Sequence, residues 1–190
     1  SEITNSVNAV DDPIEFDKST TTLIFVGRFT QLKNPTKAVE IINQLPANYE
    51  LIMIGDGPSF STVEEAVHRS EEENRIKLLG TCSHEQTLQY IEAADLLILP
   101  SDTEAYPTVV FEALSLKTPV VATPVGILPE IHHHRLTVSD LEEFTKVIQS
   151  KENVSEKGID KDTLDRFSIE RFVSEVTQSL QQVCKENSKY

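Results

Sequence analysis

The sequence predicts a doubly wound α/β domain, in which helices cover both faces of a mainly parallel sheet of about six strands. Short apolar runs alternate along the chain with amphipathic segments of helical spacing. The runs are continuously rather than alternately apolar, apart from Lys77 and Asp95, which is typical of strands buried on both faces. The repetition of strand and helix with short links predicts right-handed crossovers and a parallel sheet. Strand-like runs cover residues 23–26, 51–54, 76–79, 95–100 and 119–122.

The segments that follow these runs carry helix signals. Asn34 and Pro35 supply an N-cap and a first-turn proline to the helix after the first strand. Pro107 stands at the first position of the helix after the fourth strand. The predicted helices cover residues 35–45, 59–73, 83–94, 107–116, 128–134, 139–149 and 168–185.

The domain organisation follows from length and from one change in composition. A chain of 190 residues suits a single domain with a sizeable core. Residues 1–22 are rich in Asn, Asp, Ser and Thr and show little periodicity, which indicates a linker or lead-in. We therefore assign residues 23–190 to the domain.

Composition and charge exclude several classes of function. The formal net charge of −14 disfavours binding to nucleic acid or to an anionic membrane surface, since both need a basic protein surface. No apolar run approaches the ~20 residues of a membrane span, and we expect no signal peptide. Cys82 and Cys184 are the two cysteines, and we expect free thiols in a reducing compartment. These observations predict a cytoplasmic protein, with a membrane-peripheral full-length protein as the alternative.

The residues just after each strand are where a ligand is expected, because open parallel sheets bind ligands at the carboxyl ends of their strands. Arg28 and Lys33 lie in the first such loop, in a chain short of cations. A guanidinium fork and an ammonium group both suit phosphate oxygens. The alternative is that these cations belong to a surface salt-bridge pair, and spacing does not decide between the two interpretations.

The segment from Ser101 into the next helix holds two carboxylates, Glu104 before the helix and Glu112 within it. Backbone N–H groups of the first turn are a natural anion site. Glu104 could accept hydrogen bonds from hydroxyls of a sugar held there, and Glu112 from a ribose diol. In the alternative interpretation Glu112 caps a neighbouring helix and Glu104 is solvated.

Seven motifs stand in one order along the chain. They are Val26-Gly27-Arg28 with Lys33, Ile54-Gly-Asp-Gly-Pro58, Ile76-x-Leu-Leu-Gly80, Ala94-Asp-Leu-Leu-Ile-Leu-Pro-Ser101, Glu104-x7-Glu112-Ala, Pro119-Val-Val-Ala-Thr123 and Gly126-x-x-Pro-Glu-Ile131. Together they resemble the C-terminal, nucleotide-sugar-binding domain of a retaining glycosyltransferase of family 4, which has the GT-B architecture. The resemblance covers residues from about Asn5 to Val183 and implies a Rossmann-like domain, the C-terminal half of a GT-B fold.

The resemblance implies a role for each matching residue. Arg28, Lys33 and Glu104 would be the catalytic groups: the two cations clamp the donor diphosphate, and Glu104 faces the donor sugar. Glu112 would hold the ribose hydroxyls. The remaining donor-binding residues implied are Gly27, Gly55, Thr81, Cys82, Ala105, Tyr106, Pro107 and Thr108.

The same resemblance implies the reaction and its partners. A hexosyl group would pass from a nucleoside-diphosphate sugar to a carbohydrate or lipid-linked acceptor with retention at the anomeric carbon. No metal or cofactor is implied, because cationic side chains and helix-end amides take the electrostatic role. The acceptor would bind a preceding domain that 190 residues cannot contain, so we expect the isolated chain to be inactive in transfer.

Three positions depart from the family pattern. Ala105 stands where Gly is usual, and Ser115-Leu-Lys-Thr118 lacks the usual glycine before Pro119. The segment His132–Val138 shortens a glycine-rich loop that leads to a short strand. The three consecutive histidines of this segment would point about 100° apart on a helix, so we do not expect a shared metal site.

The sequence is compatible with three other functions. A non-catalytic nucleotide-sugar-binding module is the first, favoured by Ala105 and the missing domain. A nucleotide-sugar epimerase or hydrolase of related architecture is the second. An NAD-binding domain is the third, and the imperfect glycine fingerprint at Gly55-x-Gly57-x-x-Phe60 disfavours it.

Overall fold

The computed structural model describes residues 14–151 of the chain. Its strands are β1 (Thr21–Val26), β2 (Tyr49–Ile54), β3 (Ile76–Gly80), β4 (Leu96–Leu99), β5 (Val120–Ala122) and β6 (Leu136–Val138). Its helices are α1 (Pro35–Gln44), α2 (Phe60–His68), α3 (His84–Ala93), α4 (Thr108–Ser115) and α5 (Phe144–Lys151). Short 3₁₀ turns cover Gln31–Lys33, Glu73–Arg75, Leu128–Glu130 and Leu141–Glu143.

The six strands form one parallel sheet in the order β3-β2-β1-β4-β5-β6. The order reverses between β1 and β4, as it does in a doubly wound fold. The predicted fold class is therefore confirmed.

Two buried clusters, one on each face of the sheet, form the core. Leu23 and Phe25 of β1 contribute to the cluster that includes residues of α1, α2 and α5. Ile24, between them, belongs to the other cluster, with residues of α3 and α4. Successive strand residues point to opposite faces. The continuous apolar run of β1 is thus explained by helices on both faces of the sheet.

The chain between β5 and α5 differs from the prediction. A helix over 128–134 is wrong: a 3₁₀ turn ends at Glu130, and Ile131 is already extended. The chain then forms the short strand β6, which pairs with β5. The helix predicted at 139–149 starts as a 3₁₀ turn and becomes α-helical only at Phe144.

The helix predicted at 59–73 is shorter in the structure, where α2 ends at His68. Its buried residues are Val63 and Val67, and the following turn would bring only polar side chains to the core. The helix predicted at 168–185 and most of the lead-in at 1–22 lie outside the described residues. Within residues 14–151, no helix is long and apolar enough to cross a membrane.

Candidate functional site

The site lies at the carboxyl edge of the sheet, where the loops after β1 and β4 diverge. Strand β1 ends at Val26 and β4 at Leu99, and these neighbours in the sheet lead to helices on opposite faces. Such a topological switch point leaves a crevice between the two loops.

The loops after β1, β2 and β3 are tied together by backbone hydrogen bonds. Gly27 N donates to Ile54 O at 3.0 Å, and Gly55 N donates to Gly80 O at 2.8 Å. Gly55 has a φ of +146°, and a Cβ there would collide with the carbonyl oxygen of Gly27. Only glycine permits this close approach, so Gly55 shapes the floor of the site.

A cavity of about 420 Å³ opens beside these loops. It is lined by the predicted donor-binding residues Gly27, Arg28, Gly55, Thr81 and Cys82, together with Val26, Ile54, Asp56 and Gly57. Arg28 is exposed at this cavity, so its guanidinium group is accessible to an anion. Burial raises the pKa of the Cys82 thiol, so the group stays protonated at neutral pH and is a poor nucleophile.

Lys33 and Glu104 form an ion pair across the switch point. The Glu104 side chain is only 6% exposed and the Lys33 side chain 30%. Ser101 Oγ donates a second hydrogen bond to Glu104 Oε1 at 3.0 Å. Glu104 is therefore a buried carboxylate with two partners, and the alternative of a solvated Glu104 is wrong.

Hydrogen bonds hold the two loops of the switch point against each other. Asn34 Nδ2 donates to Pro100 O at 3.2 Å and to Asp102 Oδ1 at 2.5 Å, and Asp102 N donates to Leu32 O at 2.8 Å. Asn34 does occupy the N-cap position of α1, but its φ is +49° and its side chain makes no capping bond. The amide bridges the two loops instead.

Glycine at 126 lets the loop after β5 approach the Glu104 segment closely. The φ of Gly126 is +55°, and a Cβ there would lie 2.5 Å from Glu104 O and 2.8 Å from Ala105 O. The backbone that carries Glu104 is thus packed between two neighbouring loops.

The amino end of α4 faces the same edge of the sheet. Pro107 is the N-cap residue and Thr108 the first helical one, so the helix starts one residue later than predicted. Ala105, Tyr106 and Thr108 are exposed, and the Tyr106 ring stacks on Phe111 with centroids 4.9 Å apart. The turn leading into the helix is therefore open to a ligand.

The two departures from the family glycines have different structural outcomes. Among residues 14–151, the non-glycine residues with positive φ are Asn34 and Lys117. Ala105 is not one of them, so its methyl group is held without backbone strain. Lys117 has a φ of +66° at the end of α4, the conformation that favours glycine.

Glu112 lies on α4 and faces the start of α3, whereas Glu104 contacts Lys33 and Ser101. Its Oε1 is 4.0 Å from Nδ1 of His84, and its side chain is 30% exposed. His84 is the first residue of α3 and directly follows the N-cap residue Ser83, which forms a capping box with Gln86. His84 was not predicted as a site residue, although its place after the third strand could have identified it. Ser101, the polar residue that ends the apolar run of β4, could have been identified in the same way.

The three histidines His132, His133 and His134 follow a 3₁₀ turn and lie in no helix. The rings of His133 and His134 stack with centroids 4.5 Å apart. Across residues 14–151, no three His, Cys, Asp or Glu side chains are grouped so that they could hold a metal ion.

Comparisons with known proteins point to one family. The family described as glycosyl transferases group 1 matches residues 8–160. A putative teichuronic acid biosynthesis glycosyltransferase, TuaC of Bacillus subtilis, is 35% identical over 116 residues, which is 60% of this chain and 28% of that protein. The GPI3 subunit of phosphatidylinositol N-acetylglucosaminyltransferase of Saccharomyces cerevisiae is 29% identical over 119 residues, 61% of this chain and 26% of that protein.

Solved structures share the fold. HepE of Anabaena in complex with UDP aligns with a TM-score of 0.69 at 19% identity, over 86% of this chain and 49% of that one. The C-terminal domain of a group 1 family protein, LpcC of Francisella tularensis, aligns with a TM-score of 0.61 at 18% identity, over 70% and 75% of the two chains. The chain thus spans about a quarter to a half of the full-length relatives.

Proposed function

The chain belongs to the group 1 family of glycosyl transferases, and from this membership we propose that it binds a nucleoside-diphosphate sugar as the donor half of a retaining hexosyltransferase. One observation carries the proposal. A buried carboxylate, Glu104, is paired with Lys33 at the switch point, on the edge of the sheet that also carries the open first turn of α4 and a cavity lined by Arg28. Cations, helix-end amides and a carboxylate at one edge of the sheet match the diphosphate and the hydroxyls of such a donor.

The charges of the diphosphate would be met by Arg28, Lys33 and the first turn of α4. Arg28 offers a planar fork and Lys33 a compact charge, and both lie on the loop after β1. In a chain with a net charge of −14, Arg28 and the first-turn amides would supply positive charge where the phosphates would sit, and Lys33 would add to it once it leaves Glu104. The same groups would stabilise the leaving nucleoside diphosphate without a metal.

The hydroxyl groups of the donor would be met by the two glutamates. Glu104 would accept hydrogen bonds from the sugar, and Glu112, beside His84, from the ribose. Thr81 and Cys82 would line the base, in the cavity of about 420 Å³. The backbone of Ala105, Tyr106 and Thr108 would contact the phosphates and the sugar.

Lys33 would change partner when the donor binds. In the structure its ammonium group neutralises Glu104, which is almost fully buried. A diphosphate carries more charge than one carboxylate and would draw the ammonium group away. Binding would then release one carboxylate oxygen of Glu104 for the hydroxyls of the sugar.

Transfer itself would need groups that lie beyond this chain. Because the chain spans 28% of TuaC and 49% of HepE, we assign the carbohydrate or lipid-linked acceptor to a preceding domain. The isolated chain would bind donor but transfer negligibly, since positioning of the acceptor supplies much of the rate. The rival proposal of a non-catalytic module loses one argument, because Ala105 causes no backbone strain.

Ligand-induced stabilisation tests the proposal. Thermal-shift and calorimetric titrations with UDP, GDP, ADP, CMP and NAD are run on the wild type and on the Arg28→Ala, Lys33→Ala double variant. A ligand at 100 times its Kd stabilises the fold by about 2.7 kcal/mol. We expect one nucleoside diphosphate to stabilise the wild type and not the double variant.

Two further variants make the result specific. Arg69→Ala, Lys146→Ala removes the same charge from two exposed helix surfaces and should bind as the wild type does. Arg28→Ala alone leaves the Lys33–Glu104 pair intact, so weaker binding there cannot come from an unpaired carboxylate. Equal binding by wild type and double variant, or binding of NAD alone, would refute the donor site.

A further inference from the structure

Ser101 is a buried hydroxyl whose hydrogen bond points at the candidate sugar-binding carboxylate. The residue is 0% exposed and follows the end of β4 by two residues. Its Oγ donates to Glu104 Oε1 at 3.0 Å, while Lys33 pairs with the other oxygen, Oε2. The two partners thus hold opposite oxygens of one carboxylate.

The backbone of Ser101 is itself held by the neighbouring strand loop. Thr123 Oγ1 donates to Ser101 O at 2.5 Å and to Leu99 O at 3.2 Å. Thr123 is 8% exposed, and its backbone N donates to Leu99 O at 3.1 Å. These hydrogen bonds hold the buried Ser101 at the ends of β4 and β5. The Ser101 hydroxyl therefore stays in place when a ligand binds.

We propose that Ser101 is a positioning residue, which orients the Glu104 carboxylate toward the donor sugar through its hydroxyl hydrogen bond. This inference rests on the proposed function, because it assumes that Glu104 faces the sugar. Lys33 is 30% exposed and is expected to turn to the diphosphate, whereas Ser101 cannot leave. Ser101 therefore keeps Oε1 in place and leaves Oε2 free to accept a sugar hydroxyl.

The test separates sugar binding from nucleotide binding. Calorimetry gives the Kd of UDP and UDP-glucose, and of GDP and GDP-mannose, for the wild type and for Ser101→Ala. A hydrogen bond from a sugar hydroxyl to the charged Glu104 carboxylate would be worth about tenfold or more in affinity. We expect Ser101→Ala to lower the preference for the nucleotide sugar over the nucleotide by about tenfold, with the Kd of the nucleotide itself nearly unchanged.

A double-mutant cycle distinguishes this role from a general loss of stability. In a Glu104→Gln background, Ser101→Ala should change sugar preference no further, because the oriented carboxylate is already gone. Ser101→Thr keeps the hydroxyl and should restore part of the preference. Thr118→Val is the matched control: it removes a buried hydroxyl that donates to Ile91 O at 2.8 Å, and it should destabilise the fold without changing the preference.

The outcomes distinguish the positioning role of Ser101 from the donor site itself. If the wild type prefers a nucleotide sugar and Ser101→Ala keeps that preference, the positioning role is overturned while the donor site stands. Additive effects of Ser101→Ala and Glu104→Gln would overturn it as well. If the wild type binds neither of these pairs nor ADP and ADP-glucose, the proposed function fails and the role of Ser101 fails with it.

Discussion

Replacing Gly126 by alanine should disturb the loop that carries Glu104. The φ of Gly126 is +55°, a region in which an L-residue costs about 1–2 kcal/mol. The new Cβ would also lie 2.5 Å from Glu104 O and 2.8 Å from Ala105 O. Backbone oxygens cannot rotate away as a side chain could, so the loop must shift, and overpacking of this kind costs about 1–3 kcal/mol.

The sum of these two effects, about 2–5 kcal/mol, is a large part of the 5–15 kcal/mol by which a domain is usually stable. Urea unfolding measures it as a lower midpoint at an unchanged m value. Gly80→Ala is the control for strain, since Gly80 has a φ of +67° and no other heavy atom within 4 Å of the added Cβ. We expect Gly126→Ala to cost more than Gly80→Ala by the overpacking contribution.

Ligand binding adds a second measurement on the same variant. A shift of the Glu104–Ala105 backbone should weaken the binding of a nucleotide sugar at temperatures where the variant is folded. Equal losses of stability in Gly126→Ala and Gly80→Ala would refute the reasoning, because the close approach to Glu104 and Ala105 would then carry no energy.

Two further perturbations test features remote from the crevice. Lys117→Gly should stabilise the fold by about 0.5–1 kcal/mol, measured by urea unfolding, because glycine relieves the strain of the +66° φ but gains freedom in the unfolded chain. His133→Asn should reduce the loss of stability between pH 7.5 and 5.0, measured in the same way. Burial, and then the positive charges of His134 and Arg135, hold the pKa of His133 below its usual value of 6.5. The neutral ring therefore contributes stability above pH 6.5 that is lost as the pH falls through the lower folded pKa.

Each of these predictions has a result that contradicts it. Lys117→Ala keeps a Cβ at the same φ and should bring no comparable gain. If the alanine variant is as stable as the glycine variant, the left-handed backbone is not the cause. If His133→Asn loses as much stability as the wild type on acidification, the half-buried imidazole does not drive the pH dependence.

The local sequence was enough to predict most of the sheet. The first five strands each contain a mainly apolar run, interrupted in β3 by the exposed Lys77, and such a run can be recognised as a buried strand without knowledge of its partner. Strand β6 could not be predicted from the local sequence, because its three residues are only half-buried. It is a strand because it pairs with β5. The helix predicted at 128–134 failed for a related reason: the chain must extend after Glu130 to reach that edge.

The sequence also placed the candidate site, because parallel strands bring the residues that follow them to one edge. Gly27, Arg28, Gly55, Thr81 and Cys82 meet at one cavity, as strand-end residues should. Their convergence depends only on the strand order and on the direction of the chain.

Which side chains pair at that edge was decided by the tertiary structure alone. Lys33 contacts Glu104, Ser101 donates to the same carboxylate, and His84 faces Glu112. The partners of the first and last pairs lie on different loops or helices, and no spacing along the chain encodes the distance between them. Local sequence determines strands and turns through backbone preference and burial. The contacts between side chains depend instead on how the loops of different crossover connections pack against one another at the carboxyl edge of the sheet.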